Sequence, residues 1–529
     1  MAGVDLRLGL DVGGTNTDAV VLDPADRLIA KAKVLTTSDV TSGIVAAIDA
    51  ILAEPGAVAE RIGHVMLGTT HATNAILERR GLRRVALIRI GAPATSAVRP
   101  LFGWPKDLHE AVSAGEVIVP GGIEFDGRDL SAFDPDAVAR FLGSVAGKAQ
   151  AIAIASVFSP VSDRHELAAE EIVRRELGPE IHVSLSHRIG SLGLLERENA
   201  TVMNAALTGV AFDVAEALRA ALASQGLHAT MFFAQNDGTL MALDQAISHP
   251  VLTIGSGPAN SIRGAAYLTG ARDAIVIDVG GTSADVGVLV NGFPRESAFG
   301  EDIGGVHTNF RMPDLVTIAL GGGTMISSQD GEVRVGPESV GYRLTEEALV
   351  FGGSVPTLTD AAVASGRLAL GDPSLIEPDR GLLASALVRS DAMLADAVDR
   401  VKMSRGDRPL VAVGGGSVLV PDDLPGVSEV RRPDHFDVAN AIGAAIASVS
   451  GETDRIFHLW HGGRQAAIDE ASGEARDRAV AAGADPDGVE IVEIEEIPLA
   501  YLTDPAVRIR IKAAGPLRIT ERGSKEEGG

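Results

Sequence analysis

Apolar and polar positions fall along this chain in blocks that alternate between strand-like runs and a helical period near 3.6, the pattern of strands interleaved with helices. An N-terminal apolar strand enters Asp-Val-Gly-Gly-Thr, makes a short turn and leaves on a second apolar run at Ala19–Leu22; a later block does the same and leaves on Val286–Val290. Strand, turn and strand predict a β-hairpin in each place. Between them the pattern predicts a helix at Ser42–Leu52, a strand at Val65–Leu67, a helix at His71–Arg79 and a strand at Val85–Ile90. Residues 99–133, rich in Gly and Pro, read as an irregular excursion with one short strand at Glu116–Val119. A helix at Pro135–Ala146, a strand at Ala151–Phe158, a helix at Arg164–Leu177, a strand at Ile181–Ser184 and two helices at Leu194–Leu207 and Ala211–Ser224 follow. After the second hairpin come glycine-rich loops, a helix around Leu382–Lys402, the strand Leu410–Val413, a helix at Asp437–Val449, a helix at Gly463–Ala482 and strands near Glu490–Ile497 and Ala506–Lys512.

The two hairpins are copies. Residues 10–22, LDVGGTNTDAVVL, match residues 277–289, IDVGGTSADVGVL, at eight of thirteen positions with a constant offset of 267. An internal repeat at this distance predicts two related halves, here 1–190 and 191–451, followed by an α/β appendage at 452–515 and a charged, glycine-rich tail at 516–529 expected to be disordered. A helix does not follow the glycines directly, which excludes a P-loop and a dinucleotide-binding fingerprint.

Composition narrows the function. A net charge of −25 over 529 residues disfavours nucleic acid or an anionic membrane as the main partner. The absence of cysteine excludes disulfides, thiolate zinc sites, iron–sulfur clusters and a cysteine nucleophile. No basic segment followed by an apolar one opens the chain, and no apolar run nears the roughly 20 residues a membrane span needs, so a soluble, cytoplasmic protein is expected.

The duplicated turn carries the chemistry. Consecutive glycines let main-chain N–H groups approach an anion, so Gly13, Gly14, Gly280 and Gly281, with Thr15, Asn16 and Thr282 as added donors, form two candidate phosphate cradles. Asp11 and Asp278 end the strands leading into them, where a carboxylate can hold Mg²⁺ beside phosphate. A third cluster, Gly414–Gly416 in LVAVGGGSVLVP, again follows an apolar strand, and a helix with the small residues Ala441, Gly443, Ala444 and Ala447 comes after it. This order resembles the actin-like (ribonuclease H-like) ATPase fold, which implies an α/β protein of duplicated halves with a nucleotide cleft between them.

Longer segments narrow the resemblance: DVGGTNTD (11–18), LGTTHATNAILERRGLRRVALI (67–88), SVFSPVSDRHELAAEEI (156–172), ERENATVMNAAL (196–207), SGPANSIRGAAYL (256–268), VRVGPESVGY (333–342) and PTLTDAAVASGRL (356–368). Together they resemble the hydantoinase A / oxoprolinase family. That resemblance implies ATP-dependent hydrolysis of a cyclic amide such as a hydantoin or lactam, with the amide carbonyl oxygen phosphorylated. It places ATP phosphates on Gly13, Gly14, Thr15, Gly280, Gly281 and Thr282, adenosine near Gly414, Gly415 and Gly416, and Mg²⁺ near Asp11 and Asp278. It also implies a hydantoinase B-like or other partner subunit and leaves room for a homo-oligomer. A small-molecule kinase and a non-catalytic actin-like assembly protein are the alternatives.

The chain departs from the family in having Asn16 where Phe is common, Leu67 before and His71 after Gly-Thr-Thr, and RLTEEALVFGGS (343–354) in place of a Pro-Gly-Pro-rich segment; these mark a compact subgroup. Thr69, Thr70, His71 and Asn74 bring hydroxyls, an imidazole and helix N-terminal N–H groups to one point, suited to a phosphoryl group or a polarised carbonyl; the plainer alternative for His71 is a helix cap. Asp237 and Asp314 stand beside glycine turns, as substrate-orienting groups or local caps. Glu196, Arg197, Glu198 and Asn199 read as a solvated face or an ion-pair run. His458 and His461 lack a carboxylate at metal-ligand spacing.

Overall fold

The computed structural model describes residues 6–14, 16–36, 40–190, 192–297, 300–329, 332–402, 406–459, 463–499 and 506–518. Thr15, His461 and residues 519–529 lie outside these. The chain begins with β1 (Leu6–Val12), β2 (Asn16–Leu22) and β3 (Leu28–Leu35), then α1 (Val40–Leu52) and β4 (Ile62–Thr69). In β3 the sequence LIAKAKVL alternates apolar and charged residues and packs its Ala30 into the core; the sequence pattern above left this strand out. After α2 (His71–Glu78), an inserted sheet is built from β5 (Val85–Ala92), α3 (Lys106–Val112), β6 (Ser113–Pro120), α4 (Pro135–Val145), β7 (Ala151–Ser156), α5 (Arg164–Leu177) and β8 (His182–Leu185). Its four strands are parallel in the order β6-β5-β7-β8. The expected irregular excursion at 99–133 is therefore partly regular: pairing with β5, from Val85↔Ser113 to Ala92↔Pro120, extends the short strand in both directions.

The two helices expected at 194–207 and 211–224 are one, α6 (Leu194–Ser224). Its first half buries Ala200, Met203 and Leu207 against the inserted sheet, and its second half buries Val214, Leu218 and Ala221 against α1 and the first sheet. Burial on both sides outweighs the roughly 1 kcal/mol that Gly209 costs in a helix interior. The segment 196–199 is not a solvated face. Glu198 and Arg89 form a fully buried pair at 2.5 and 2.6 Å, and Arg197, also buried, donates to Ser186 and to the Ser156 carbonyl.

The chain continues through β9 (Thr230–Ala234), β10 (Thr239–Ala242), α7 (Leu243–Ser248) and α8 (Ser256–Thr269). Strands β9 and β10 join the first sheet, so the first half runs past the boundary expected at residue 190, because β9 pairs with β4, and the second begins after them. There β11 (Ala274–Val279) and β12 (Ala284–Val290) repeat the hairpin, followed by β13 (Phe293–Pro294), β14 (Asp302–Ile303), β15 (Val306–His307), β16 (Leu315–Ile318), β17 (Thr324–Gln329) and β18 (Glu332–Ser339). Then come α9 (Leu344–Glu347), α10 (Leu358–Ala364), α11 (Arg380–Val401), β19 (Arg408–Val413), β20 (Val427–Arg431) and α12 (Ala439–Ala445). The run β3-β2-β1-β4-β9 in one sheet is matched by β16-β12-β11-β19-β20 in the other, with the same two antiparallel and two parallel pairings. This is the duplicated actin-like α/β fold.

The helix expected at Asp437–Val449 stops at Ala445, because Ser448 and Val449 pair in parallel with Thr239 and Leu240. They open β21 (Ser448–His458), which with α13 (Gly463–Ala481), β22 (Glu490–Pro498) and β23 (Ala506–Gly515) extends the first sheet to nine strands. The halves meet along α8 and α12, whose small residues put backbone against backbone: a Cβ on Gly264 would overlap the Ala439 carbonyl, and one on Gly443 that of Asn260.

Candidate functional site

The two hairpins agree atom for atom where the sequence repeats. Gly13 N donates to Asn16 O at 3.1 Å and Gly280 N to Ser283 O at 2.9 Å, the same turn at the same offset. Asp11 is opposite Asp18 in one ladder and Asp278 opposite Asp285 in the other. Asp11 and Asp278 come near one another across the halves, and the charge of Asp18 reaches both. Burial first, then the charges of Asp18 and Asp278, push the Asp11 carboxyl up to about 7. Burial also raises Asp278 and Asp18, and pushes Asp285 up to about 6 with help from the charge of Asp278.

Each carboxylate has its own holder. Asn440 on α12 donates to Asp11 Oδ2 at 2.8 Å, Ser261 on α8 to Asp278 Oδ2 at 2.5 Å, and Thr317 on β16 to Asp285 Oδ1 at 2.6 Å. Lys33 Nζ lies 2.7 Å from Asp18 Oδ1. Asp11 Oδ1 and both polar atoms of the Asn260 amide are buried with no hydrogen-bond partner. Asn440, Lys33 and Thr317 carry no sequence signal of their own, since they reach the aspartates from distant elements; Asn260 and Ser261 stand in the segment SGPANSIRGAAYL without a role assigned there, and Asp18 and Asp285 stand inside the repeat, likewise without one.

The glycine turns differ in surroundings. Gly14 and Gly415 are exposed, with nothing within 4 Å of an added Cβ. Gly414 has φ +84° and a Cβ there would overlap Asp278 Oδ1 and the Val279 carbonyl. Gly416 N donates to Val279 O at 2.8 Å, so the cluster Gly414–Gly416 lies directly on the second hairpin turn. Gly321–Gly323, to which the sequence pattern assigns no role, stacks on the same turn: Gly322 N donates to Gly280 O at 3.1 Å and Gly323 N to Gly281 O at 2.7 Å.

The Gly-Thr-Thr segment joins the first turn, with Thr70 N and Oγ1 each 3.4 Å from the Val12 carbonyl. Thr69 Oγ1 is 2.5 Å from His71 Nδ1 and accepts from His71 N at 3.2 Å. Burial lowers the His71 pKa, which favours a neutral imidazole. His71 opens α2 as its first residue, and Asn74 stands exposed one turn on. Thr69 and His71 also line a small apolar cavity with Val210, Val214 and Phe233.

Asp237 and Asp314 have their carboxylates engaged elsewhere. Asp237 Oδ1 accepts from Thr239 N and Oγ1 at 2.9 and 2.6 Å, and its Oδ2 lies 2.7 Å from Lys512 Nζ. Asp314 pairs with Arg295 at 2.7 Å and precedes β16 at the end remote from the Gly280 turn.

The duplicated fold thus sets two aspartates, one from each half, beside glycine turns. Residues 7–177 match the hydantoinase/oxoprolinase N-terminal region and residues 197–376 match hydantoinase/oxoprolinase. The chain belongs to the hydantoinase/oxoprolinase family. It is 28% identical over 477 residues to caprolactamase subunit alpha of Pseudomonas jessenii, covering 84% of this chain and 66% of that one. It is 28% identical over 402 residues to acetophenone carboxylase gamma subunit of Aromatoleum aromaticum, covering 68% and 53%. The chain thus spans between about half and two thirds of the length of these relatives. The crystal structure of the ATP-dependent caprolactamase from Pseudomonas jessenii superposes with a TM-score of 0.75 at 21% identity, over 99% of this chain and 89% of that one, which shows the shared fold. Among the described residues no helix is long and apolar enough to cross a membrane.

Proposed function

We propose that this chain is the ATP-using subunit of an enzyme that phosphorylates the carbonyl oxygen of a small cyclic amide, a lactam or hydantoin, so that water or another nucleophile can displace the phosphate. The observation that carries this reading is that Asp11 and Asp278 stand at equivalent ends of two copied hairpins, near enough across the halves for the charge of one to act on the other, with the first glycine turn open at Gly14. The residues fit MgATP. Asp11 Oδ1 is a buried acceptor without a protein donor, Gly14 and Gly415 leave their surroundings free, and Gly414 has the backbone conformation that a side chain resists. Mg²⁺ takes one or two carboxylates and keeps waters and phosphate oxygens, and Asp11 and Asp278 are two such carboxylates.

In this reading MgATP, when bound, supplies the phosphoryl group and neutralises its charge. Since the N–H groups of Gly13 and Gly280 close their own turns, main-chain N–H groups of Gly14, Gly281 and Thr282 would hold the phosphates, Gly414–Gly416 would adjoin the nucleoside, and Asp11 and Asp278 would hold Mg²⁺. Asp11, balanced near neutrality, can release its proton when a cation approaches. Thr69 orients the neutral His71 ring, which then presents Nε2 toward a carbonyl or phosphoryl oxygen. The relation to the acetophenone carboxylase subunit supports a second carbonyl, that of a ketone, for the same transfer. Both relatives are named as subunits, and a partner subunit that completes the reaction is part of the proposal.

The test is a screen of lactams, hydantoins and ketones for stimulated ADP release, with and without co-expressed partner chains. A stable phosphate ester as product would point instead to a kinase, and no MgATP binding by calorimetry would remove the reading. His71→Ala is informative beside it: the cap position of α2 is Thr70 and not His71, so lost turnover with retained nucleotide binding supports a substrate role, whereas unchanged turnover removes it.

A further inference from the structure

Helix α8 approaches both aspartates through two consecutive residues. Ser261 donates to Asp278 Oδ2 at 2.5 Å, reaching into the second half. Asn260, fully buried, faces the first half: the position of a Cβ on Gly68 would lie 2.5 Å from Asn260 Nδ2 and 2.5 Å from Asp11 Oδ1. Gly68 is the ladder partner of Asp11. The amide and the carboxylate oxygen therefore flank one small space, and that space exists because residue 68 carries no side chain. Neither Asn260 polar atom nor Asp11 Oδ1 has another partner, an arrangement that ordinarily costs about 1–3 kcal/mol per group and is kept where function requires it. The same helix is locked to α12 by backbone contact at Gly264 and Gly443, and α12 holds the other Asp11 oxygen through Asn440.

Resting on the reading of Asp11 and Asp278 as the functional pair, we propose that Asn260 and Ser261 are positioning residues that set the two aspartates relative to each other across the halves, Ser261 by direct donation and Asn260 across the space that Gly68 leaves beside Asp11. A helix that bonds one aspartate and flanks the other on adjacent residues would couple a movement of either half to the aspartate of the other. No side chain of either hairpin could do this, because each hairpin belongs to one half.

The test uses the full chain with Ser261→Ala, Ser261→Thr, Asn260→Ala and Gly68→Ala. Outer hydrogen-bond partners of such sites are worth about 10–100-fold, so Ser261→Ala, Asn260→Ala and Gly68→Ala are expected to lower kcat of substrate-stimulated ATP turnover by that factor. KM for ATP should change little, the melting temperature of the nucleotide-free chain should change little in Ser261→Ala and should not fall in Asn260→Ala, and Ser261→Thr, which restores the hydroxyl, should recover most of the rate. A crystal structure of nucleotide-free Ser261→Ala should show the Asp278 carboxylate turned from its wild-type rotamer. Wild-type kcat in Ser261→Ala and Asn260→Ala, an unmoved Asp278, or a rate loss that follows the melting temperature and is not rescued by Ser261→Thr overturns the proposal. If the wild-type chain fails to bind MgATP, the functional reading falls, while the Asp278 rotamer still decides this one.

Discussion

The two hairpins share sequence, register and turn, yet they sit in unlike surroundings. The first turn is open: Gly14 meets nothing, and Asp18 is balanced by the cation of Lys33. The second is enclosed between Gly321–Gly323 and Gly414–Gly416, and its Asp285 is balanced by the neutral hydroxyl of Thr317. Duplication copied the local chemistry and left the packing to diverge. One half offers an open turn and the other a confined one.

The sharpest way to break this comparison is a pair of alanines. Gly414→Ala adds a Cβ at φ +84° against Asp278 and the Val279 carbonyl, and is expected to cost more than about 3 kcal/mol or to prevent folding of the second half. Gly14→Ala is expected to stay within about 0.5 kcal/mol in denaturant unfolding. Equal losses would show the first turn to be as confined as the second.

The pH dependence comes next. Folded Asp11 keeps its proton to about pH 7, whereas an unfolded aspartate loses it near 3.8. Between those values the folded state binds more protons, so this group's contribution makes stability fall as pH rises from about 4 to 7 and level off above. Asp11→Asn removes that slope and should be the more stable protein at pH 8 by a few kcal/mol. Asp285→Asn should remove a similar slope that ends near pH 6. Unfolding titrations at pH 5 and pH 8 check both, and an unchanged slope in Asp11→Asn would contradict the burial argument.

Turnover should respond alike in the two halves: Asp11→Asn and Asp278→Asn are each expected to lower it by on the order of 10²-fold, the scale of lost electrostatic stabilisation. Near-normal turnover in one of them would assign the chemistry to the other half. The smallest effects concern the unlike partners. Lys33→Met should cost about 2 kcal/mol by stranding Asp18, discounted because Lys33 is one third exposed. Thr317→Val should cost about 1 kcal/mol.

Much of the site was legible because its pieces are short and local. Hairpin turns, glycine clusters and the aspartates beside them follow from residues a few positions apart, and the repeat at offset 267 pointed to their equivalence. The holders were not legible. Asn440 is 429 residues from Asp11, and neither it nor Asn260 stands in a motif whose local chemistry marks it. Asp237 and Asp314 looked alike in sequence to the site aspartates, and only their partners Lys512 and Arg295 separate them.

The sequence by itself determined the two hairpins, their shared register and the α/β alternation, because turn chemistry and hydrophobic period act within one element. Tertiary structure decided where α12 yields to β21, why α6 runs unbroken past Gly209, and how Glu198 and Arg89 come to be buried together. It also decided that Asp11 and Asp278 come near one another. In each case a contact far along the chain outweighs a local preference of about 1 kcal/mol, since strand pairing and core burial contribute more than that at a single junction.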